Sequence, residues 1–358
     1  MPLLINNDVA KELLSMKDCV EALEAAFREE AQGSAANRTK SNIHIPTKEP
    51  NHWYRYCTME GGLRESGVAA IRIKSDIVSW PIYHGVQREQ KYCVQPGKFC
   101  GLILLFSAEN GELLAILNDG YVQHMRVGGT AGVAARYMAR KEAAVVGVIG
   151  SGGMAETHLE AFAVVRKISL AKVYSPNREH RESYARRMAD RLGIKVEPKD
   201  GPADVVRGSD IVATCTDAND PIIKAEWLDP GAYLTCVRTS EAGEDIFRRA
   251  DRYVEYRSAV ALNHFTTPEN QRPLSLGGSD ARYMRLVNLV PRERRRHLTD
   301  VLARRAPARE SESEVNLFES EGTGVQFAAV AYRVYTLARR KGLGRELPPE
   351  WFLQDIRD

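Results

Sequence analysis

The chain lacks the features that mark nucleic-acid-binding, membrane or secreted proteins. Its 50 basic and 47 acidic side chains leave a formal net charge of only +3, which is too small to indicate nucleic acid binding. No apolar run reaches the ~18 residues that a membrane-spanning helix needs, and the N-terminal segment has no signal-peptide pattern. We therefore expect a cytoplasmic protein that binds neither nucleic acid nor membrane.

Cysteine is scarce as well, and its spacing excludes the usual metal motifs. The six cysteines have no C-x-x-C spacing, and the eight histidines do not cluster with them. In a chain without a secretion signal, such cysteines are expected to be buried, reduced thiols. We predict no bound metal ion.

One segment, Arg292–Arg309, is rich in arginine. It lacks interleaved aromatic residues and any recognition motif, so we predict the solvated face of a helix there rather than a nucleic-acid site.

What the sequence does contain is a short apolar strand that runs into glycines and then into a helix. The strand Val145–Ile149 is followed by Gly150, Gly152 and Ala155, the G-x-G-x-x-A form of the dinucleotide fingerprint. The first glycine permits the turn, the second lets the backbone approach a pyrophosphate, and the helix N-terminus faces the phosphates. Gly153 and Met154 complete the predicted phosphate-binding turn.

Around this strand the chain divides into two patterns. Up to about residue 125, an amphipathic helix after Ser15 precedes extended segments and a hairpin signal at Asn110-Gly111. From Arg126, strands and helices alternate, which requires a parallel sheet with crossover helices. The predicted fold class is α/β, with a Rossmann nucleotide-binding domain at 126–320 and an α+β domain at 1–125.

The end of the second strand of a Rossmann domain selects the cofactor, since an acidic residue there binds the ribose 2′-hydroxyl of NAD. Here the strand ends in Val173-Tyr-Ser-Pro-Asn-Arg178 without a carboxylate. Ser175, Asn177 and Arg178 can instead donate hydrogen bonds to the 2′-phosphate of NADP. We predict NADPH/NADP, with NAD as the alternative; in the competing interpretation, Arg178 only covers the surface of the next helix.

Two later segments are expected beside the nicotinamide half of the cofactor. Thr214 and Thr216 lie at the carboxyl end of a predicted parallel strand, and Val237 ends the next one. Ligands bind at that edge of open α/β sheets, although Thr, Asp and Asn are also ordinary turn residues.

A long connection, Asp76–Cys100, interrupts the strands of the N-terminal part. Connections of this length inside a compact domain are often binding loops or lids. The alternative is a disordered insertion.

The order of these elements resembles the ornithine cyclodeaminase/mu-crystallin family, which includes archaeal-type alanine dehydrogenases and ketimine reductases. The similar segments cover nearly the whole chain: Glu21-Ala-Leu-Glu-Ala-Ala-Phe27, Gly67-Val-Ala-Ala-Ile-Arg-Ile-Lys74, Asn118-Asp-Gly120, His124-Met-Arg126, the fingerprint with His158-Leu159, and Asn316-Leu-Phe-Glu-Ser-Glu-Gly322. The resemblance implies a homodimer formed through the N-terminal domain, which residues 321–358 complete. It also implies a substrate-binding cleft between the two domains.

The resemblance further implies a set of substrate-binding residues. Positions matching Arg38, Lys74 and Arg126 hold the substrate carboxylate in the family, with the lysine close to the reacting carbon. A guanidinium clamps a planar carboxylate in one orientation, which hydride transfer requires. Lys74, whose pKa is tunable, can exchange a proton with an imine or amine. We therefore predict Lys74 and Arg126 as catalytic; surface charge is the alternative for all three residues.

The chain departs from the family's cyclodeaminases where those hold the substrate's distal amine. In Val237-Arg-Thr-Ser-Glu-Ala-Gly-Glu-Asp245, Ser240 stands for the family aspartate, or Glu241 does if the match shifts by one residue. Cys57 stands for a family glutamate, and Phe327 for an aspartate near the C-terminus. We therefore expect Ser240 to contact a substrate other than ornithine.

These features predict an NADP(H)-dependent reductase of a cyclic ketimine or α-imino acid, an oxidoreductase of the amino-acid dehydrogenase kind. One alternative is a cyclodeaminase-like lyase that releases ammonia and uses bound NAD without net consumption. Another is a non-enzymatic protein that binds a small molecule in the presence of NADPH.

Overall fold

A computed structural model describes residues 1–83, 86–87, 89–257, 261–273 and 282–356. The strands are β1 (Leu3–Ile5), β2 (Ala35–Asn37), β3 (Ser41–Pro46), β4 (Trp53–Leu63), β5 (Val68–Ser79), β6 (Ile82–Tyr83), β7 (Val86–Gln87), β8 (Gln90–Tyr92), β9 (Cys100–Ser107), β10 (Leu113–Asn118), β11 (Val145–Ile149), β12 (Leu170–Tyr174), β13 (Lys195–Pro198), β14 (Ile211–Thr214), β15 (Tyr233–Cys236), β16 (Arg252–Tyr256), β17 (Leu262–Phe265), β18 (Arg295–His297), β19 (Asn316–Ser320) and β20 (Arg345–Glu346).

The α-helices are α1 (Asn7–Leu13), α2 (Met16–Ala31), α3 (Gly120–Met138), α4 (Gly153–Val165), α5 (Arg178–Leu192), α6 (Pro202–Val206), α7 (Glu244–Arg249), α8 (Leu298–Leu302) and α9 (Gly324–Lys341). Residues 282–287 are also helical. Among the described residues, no helix is both long and apolar enough to cross a bilayer.

Two sheets organise the described residues. The first has the order β17-β3-β4-β5-β9-β10-β1-β20, with β2 and β8 attached at its side, and most of its pairs are antiparallel. The second has the order β13-β12-β11-β14-β15-β19-β16-β18, and every pair in it is parallel. The predicted combination of a Rossmann-type parallel sheet and an α+β part is confirmed.

The two sheets follow the two halves of the sequence except that β17 and β20 belong to the first sheet. β20, near the C-terminus, pairs with β1. β17 lies within the range predicted for the nucleotide-binding domain, yet it pairs with β3 of the first sheet. The division of the chain at residues 125 and 320 stays a prediction.

Two local predictions compare differently with the structure. The long connection Asp76–Cys100 is partly ordered, because β5 continues to Ser79 and β8 pairs with it; residues 84, 85 and 88 of this connection lie outside the described part. The prediction of a helix across Arg292–Arg309 is wrong. A 3₁₀ turn after Pro291 leads into β18, which completes its backbone hydrogen bonds against β16, and only the short α8 follows.

Helix α3 joins the two halves through three glycines. A Cβ on Gly128 would lie 2.5 Å from the carbonyl carbon of Thr157 in α4, and one on Gly132 would lie 2.8 Å from the Cβ of Ala161. On another side, a Cβ on Gly129 would lie 2.7 Å from Leu23 in α2. The absence of side chains at these positions lets α3 pack closely against helices of both halves.

A second close approach connects α9 to the middle of the first sheet. A Cβ on Gly61 of β4 would lie 2.3 Å from the backbone nitrogen of Val325, and one on Gly324 would lie 1.9 Å from the carbonyl carbon of Glu60. Both obstacles are backbone atoms, which cannot move as a flexible side chain could. The helix can therefore start at this place only if both positions are glycine.

We predict that Gly61→Ala destabilises the fold by at least about 2 kcal/mol, because it overpacks a rigid contact. The midpoint of urea unfolding, followed by circular dichroism, measures the effect. Gly62→Ala is the matched control, since a Cβ on the neighbouring Gly62 meets its nearest atom only at 3.7 Å. Equal midpoints for the two variants would contradict this account of the contact.

Candidate active site

A cleft of about 620 Å³ opens between the two sheets, a volume suited to a small-molecule ligand. One wall comes from loops at the carboxyl edge of the parallel sheet, including Asn219, Arg238 and Ser240. The opposite wall comes from the first sheet and the connection after β5, including Arg55 and Glu89. The cleft thus lies at the sheet edge where open α/β folds bind ligands.

The fingerprint turn has the shape that a pyrophosphate requires. Gly150 has φ +117°, and a Cβ on it would lie 2.4 Å from the carbonyl oxygen of Cys215. Gly152 is the N-cap of α4 without a side-chain cap, and a Cβ there would meet no atom within 4 Å. The space beside Gly152 at the N-terminus of this 13-residue helix is therefore open, which fits the phosphates of a dinucleotide.

The rest of the fingerprint supports the same turn. Ala155 is buried, and its carbonyl oxygen accepts a 2.9 Å hydrogen bond from the Tyr184 hydroxyl. Gly153 packs against the ring of His124, while Met154 is partly buried and accepts a 2.6 Å hydrogen bond from His158 at its carbonyl. Ala155 thus keeps α4 close to its neighbours, as the motif predicts.

The residues predicted to select the cofactor lie together at the end of β12. Ser151 donates to the Ser175 hydroxyl over 3.0 Å, and Asn177 caps α5 by accepting from the backbone N–H of His180. Arg178 is the first residue of α5, where its side chain is 81% exposed and its Nε donates to Glu182 over 2.7 Å. The guanidinium is thus available from solvent, close to the two other predicted donors.

The threonines predicted beside the nicotinamide are bonded to a buried acid. The hydroxyls of Thr214 and Thr216 donate to the two carboxylate oxygens of Glu241 over 2.9 and 2.6 Å. The backbone N–H groups of Thr216 and Arg238 donate to the same carboxylate. Burial raises the pKa of Glu241. Glu241 thereby links the ends of β14 and β15, and a contact between these threonines and a nucleotide stays a prediction.

Ser240, rather than Glu241, lies on the wall of the cleft. Its hydroxyl donates to the carbonyl oxygen of Ala218 over 2.8 Å. Val237 lines the same wall. Of the two residues that could stand for the family aspartate, the serine therefore faces the predicted substrate.

Strand β5 presents a row of charged side chains on one face, at Arg72, Lys74 and Asp76. Alternate residues of a strand share a face, and the register places Arg55 opposite Asp76. Arg72 pairs with Asp119, Nε to Oδ2 at 2.7 Å. Lys74 forms an ion pair with Asp76, which Arg55 also approaches at 3.4 Å. This row runs from the interior towards the cleft.

Lys74 is the residue of this row whose pKa lies near neutral pH. Burial lowers the pKa of its ammonium to about 7, and the positive charges of Lys91 and Arg55 act in the same direction. Its neighbour Asp76 opposes the shift. A lysine with this pKa can both donate and accept a proton near neutral pH.

Arg126 lies in the interior beneath the turn at Gly322. Its guanidinium donates to Gln326 over 3.0 Å and to Gln123 over 2.9 Å, and lies over the ring of Phe327 at 5.0 Å. Burial lowers its pKa to about 9, assisted by the charge of Arg72, so the group stays charged at neutral pH. Phe327 thus occupies the predicted aspartate position by packing under a cation.

The three predicted substrate ligands are not brought together on the cleft wall. Among the described residues that line the cleft, neither Lys74 nor Arg126 is found; Asp76 links Lys74 to the lining residue Arg55. Arg38 is 75% exposed at its side chain and pairs with Glu60 at 3.3 Å. The roles of these residues stay predictions.

Several charged residues of the site were not foreseen. Asp76 follows Lys74 by two positions, so the strand period alone indicates that they share a face. The other unforeseen members are Arg55, Glu89 and Arg238. They carry no local signal, because strand register and the folding of separate loops bring them together.

Comparison with known proteins agrees with this architecture. An alanine dehydrogenase of Archaeoglobus fulgidus is 25% identical over 96% of this chain and 98% of its own. A Delta(1)-pyrroline-2-carboxylate reductase of Bacillus cereus is 27% identical over 69% of this chain and 74% of its own. The structure of the Thermococcus litoralis Delta(1)-pyrroline-2-carboxylate reductase in complex with NADH and L-proline superposes with a TM-score of 0.77. It is 25% identical and covers 96% of this chain and 100% of that chain.

The family model of the ornithine cyclodeaminase/mu-crystallin family matches residues 3–342. The match includes both sheets except β20, the fingerprint turn and all the residues that line the cleft. The chain therefore belongs to the ornithine cyclodeaminase/mu-crystallin family.

Proposed function

We propose that the protein is an NADP(H)-dependent reductase of a cyclic ketimine or another α-imino acid. The observation that carries this proposal is the position of the open helix N-terminus at Gly152 at the same sheet edge as the cleft. Relatives that are named as reductases of a cyclic imino acid and as alanine dehydrogenases support the C–N chemistry.

The turn at 150–155 would hold the pyrophosphate, and the residues after β14 and β15 would flank the nicotinamide. Bound NADPH would supply the hydride. In the balanced reaction, the imine carbon gains this hydride and the imine nitrogen gains a proton, which yields an amine and NADP⁺. The tasks left to the protein are therefore orientation of the substrate and delivery of a proton.

Arg126 and Arg38 would hold the substrate carboxylate. A guanidinium has five N–H donors, and the two glutamines accept three bonds from Arg126. A Cβ on Gly322 would lie 2.9 Å from both Nη atoms, so only a glycine can pack this closely against the guanidinium. The carboxylate would bind the N–H donors that the glutamines do not use.

Lys74 would deliver the proton to the imine nitrogen. Its lowered pKa makes the ammonium acidic enough to donate at neutral pH. Asp76 and Arg55 hold its position relative to the cleft.

Homodimer formation through the first sheet is a further part of the proposal. Ile43 and Ile45 of β3 and Leu262 of the adjacent β17 share one face of the sheet and are 40%, 40% and 53% exposed. Such an apolar strip suits a subunit contact. Light scattering coupled to size exclusion would give the mass in solution.

Turnover assays test the proposed activity. NADPH should be oxidised when a cyclic ketimine or a mixture of a 2-oxo acid and ammonia is added. Ammonia release from a diamino acid without net NADPH consumption would replace the reductase by a cyclodeaminase-like lyase. Tight NADPH binding without any turnover would favour the binding protein.

The cofactor assignment predicts the effect of Arg178→Asp. Replacing a phosphate ligand by a carboxylate should lower the ratio of kcat/KM for NADPH to that for NADH about 10-fold to 100-fold, since a hydrogen bond to a charged group contributes about 1.5–3 kcal/mol. Initial rates with both nucleotides measure the ratio. Arg186→Asp, an equal charge change at an exposed position of α5, is the control. An unchanged ratio in Arg178→Asp would show that the assignment is wrong.

The lowered pKa of Lys74 predicts the pH profile. For imine reduction, kcat/KM should fall as pH rises through about 7, because the ammonium then loses the proton that it donates. For amine oxidation, activity should rise through the same range, because the free amine accepts a proton. Lys74→Met should lower kcat about 100-fold or more.

The variant Lys74→Arg shows whether the pH dependence comes from the enzyme or from the substrate. An arginine stays protonated, so the alkaline limb that belongs to Lys74 should disappear from any remaining activity. If the alkaline limb persists unchanged in Lys74→Arg, it comes from titration of the imine, and the proposed role of the lysine is wrong.

A further inference from the structure

A carboxylate of the chain itself lies between two arginines from opposite walls of the cleft. Nη1 of Arg55, on β4, donates to Oε1 of Glu89 over 2.8 Å. Nη2 of Arg238, after β15, donates to Oε2 of the same residue over 3.1 Å. Each carboxylate oxygen thus has its own guanidinium, and all three residues line the cleft. We call Arg55 and Arg238 the arginine pair.

The surroundings of the arginine pair are richer in positive charge than Glu89 can balance. Lys91 is half-buried beside it, and the charges of Glu89 and Arg238 both act on its ammonium. Asp76 is shared between Arg55 and Lys74. Within this group two arginines balance two carboxylates, so the site carries an excess of positive charge whenever Lys74 or Lys91 holds its proton.

The rest of the described cleft wall has the same sign of charge. Its further basic residues are Lys40, Arg257 and Arg282, whereas its further acidic residues are Asp220 and Glu321. A cleft with this balance attracts anions and disfavours cations. It is therefore poorly suited to a substrate with a distal ammonium group.

We propose that the arginine pair binds a second, distal carboxylate of the substrate, which replaces the carboxylate of Glu89. This inference rests on the proposed reductase function and specifies its substrate as an imino dicarboxylate. Glu89 shows that the arginine pair can bind a carboxylate, because each of its two oxygens accepts a hydrogen bond from a different guanidinium. Such charge-assisted pairs are strong and geometrically selective.

The position of the pair suits the two ends of such a molecule. Arg55 is connected through Asp76 to Lys74, the proposed proton donor. The reacting imine would lie near Lys74 while the distal carboxylate reaches the arginine pair across the cleft. Glu89 would then act as an internal competitor that keeps the pair neutralised before substrate binds.

Matched substrates test the proposal in the full-length protein with NADPH. The imine of 2-oxoglutarate and ammonia carries the distal carboxylate, and the imine of 2-oxopentanoate and ammonia has the same chain length without it. Wild-type protein should reduce the dicarboxylate with a kcat/KM at least about tenfold higher. A preference for the monocarboxylate would overturn the proposal.

Two substitutions should act in opposite directions. Arg238→Gln should lower kcat/KM for the dicarboxylate about 10-fold to 100-fold more than for the monocarboxylate, the range expected for loss of one charged hydrogen bond. Glu89→Gln removes the competitor's charge and should lower KM for the dicarboxylate at least about threefold. Arg186→Gln, at the surface of α5, is the control for an arginine loss and should leave both values unchanged. If Glu89→Gln weakens dicarboxylate binding, Glu89 is not a competitor and the proposal fails.

Direct binding separates this inference from the proposed reductase activity. Glutarate and pentanoate, titrated calorimetrically into the NADP⁺ complex, need no turnover. Tighter binding of glutarate, lost in Arg238→Gln, would support the arginine pair even if no imine is reduced. Reduction of imines together with equal binding of both acids would keep the reductase and reject the pair.

Discussion

The packing of α3 against helices of both halves is the constraint on which the site depends. Gly128 and Gly132 remove the side chains that would separate α3 from α4, and Gly129 does the same towards α2. Because these contacts involve backbone and short side chains, the spacing between the two sheets has little freedom. Arg126 belongs to the same helix, so its guanidinium is fixed relative to both the nucleotide turn and the first sheet.

Burial along this helix and β5 gives the site its electrostatic character. The guanidinium groups of Arg72 and Arg126 lie 5.3 and 5.0 Å from the centroid of the Phe327 ring. Asp119 accepts a hydrogen bond from Arg72. Burial lowers the pKa of Lys74 to about 7 and that of Arg126 to about 9. The same packing that orders the cations thus brings the pKa of one of them near neutral pH, beside a cleft wall on which basic residues outnumber acidic ones.

A buried glutamate fixes the loops that form one wall of the cleft. Glu241 points into the protein and fixes the ends of β14 and β15 through hydrogen bonds with Thr214 and Thr216. Ser240 and Arg238 are thereby directed to the cleft wall. Arg238 on this wall and Arg55 on the opposite wall both donate to Glu89 across the cleft. The composition of the cleft wall therefore depends on residues outside the shared motifs.

The parallel sheet, the fingerprint turn and the family could be predicted from the sequence, because each depends on local periodicity, glycine spacing or motif order. The sequence did not predict that β17 joins the first sheet, nor that Arg295–His297 forms a strand. The folded structure was needed to show that Arg55, Glu89 and Arg238 meet, that Glu241 is buried and that the pKa of Lys74 is lowered. Those properties arise from strand register and desolvation, which bring residues far apart in the chain into one low-dielectric site.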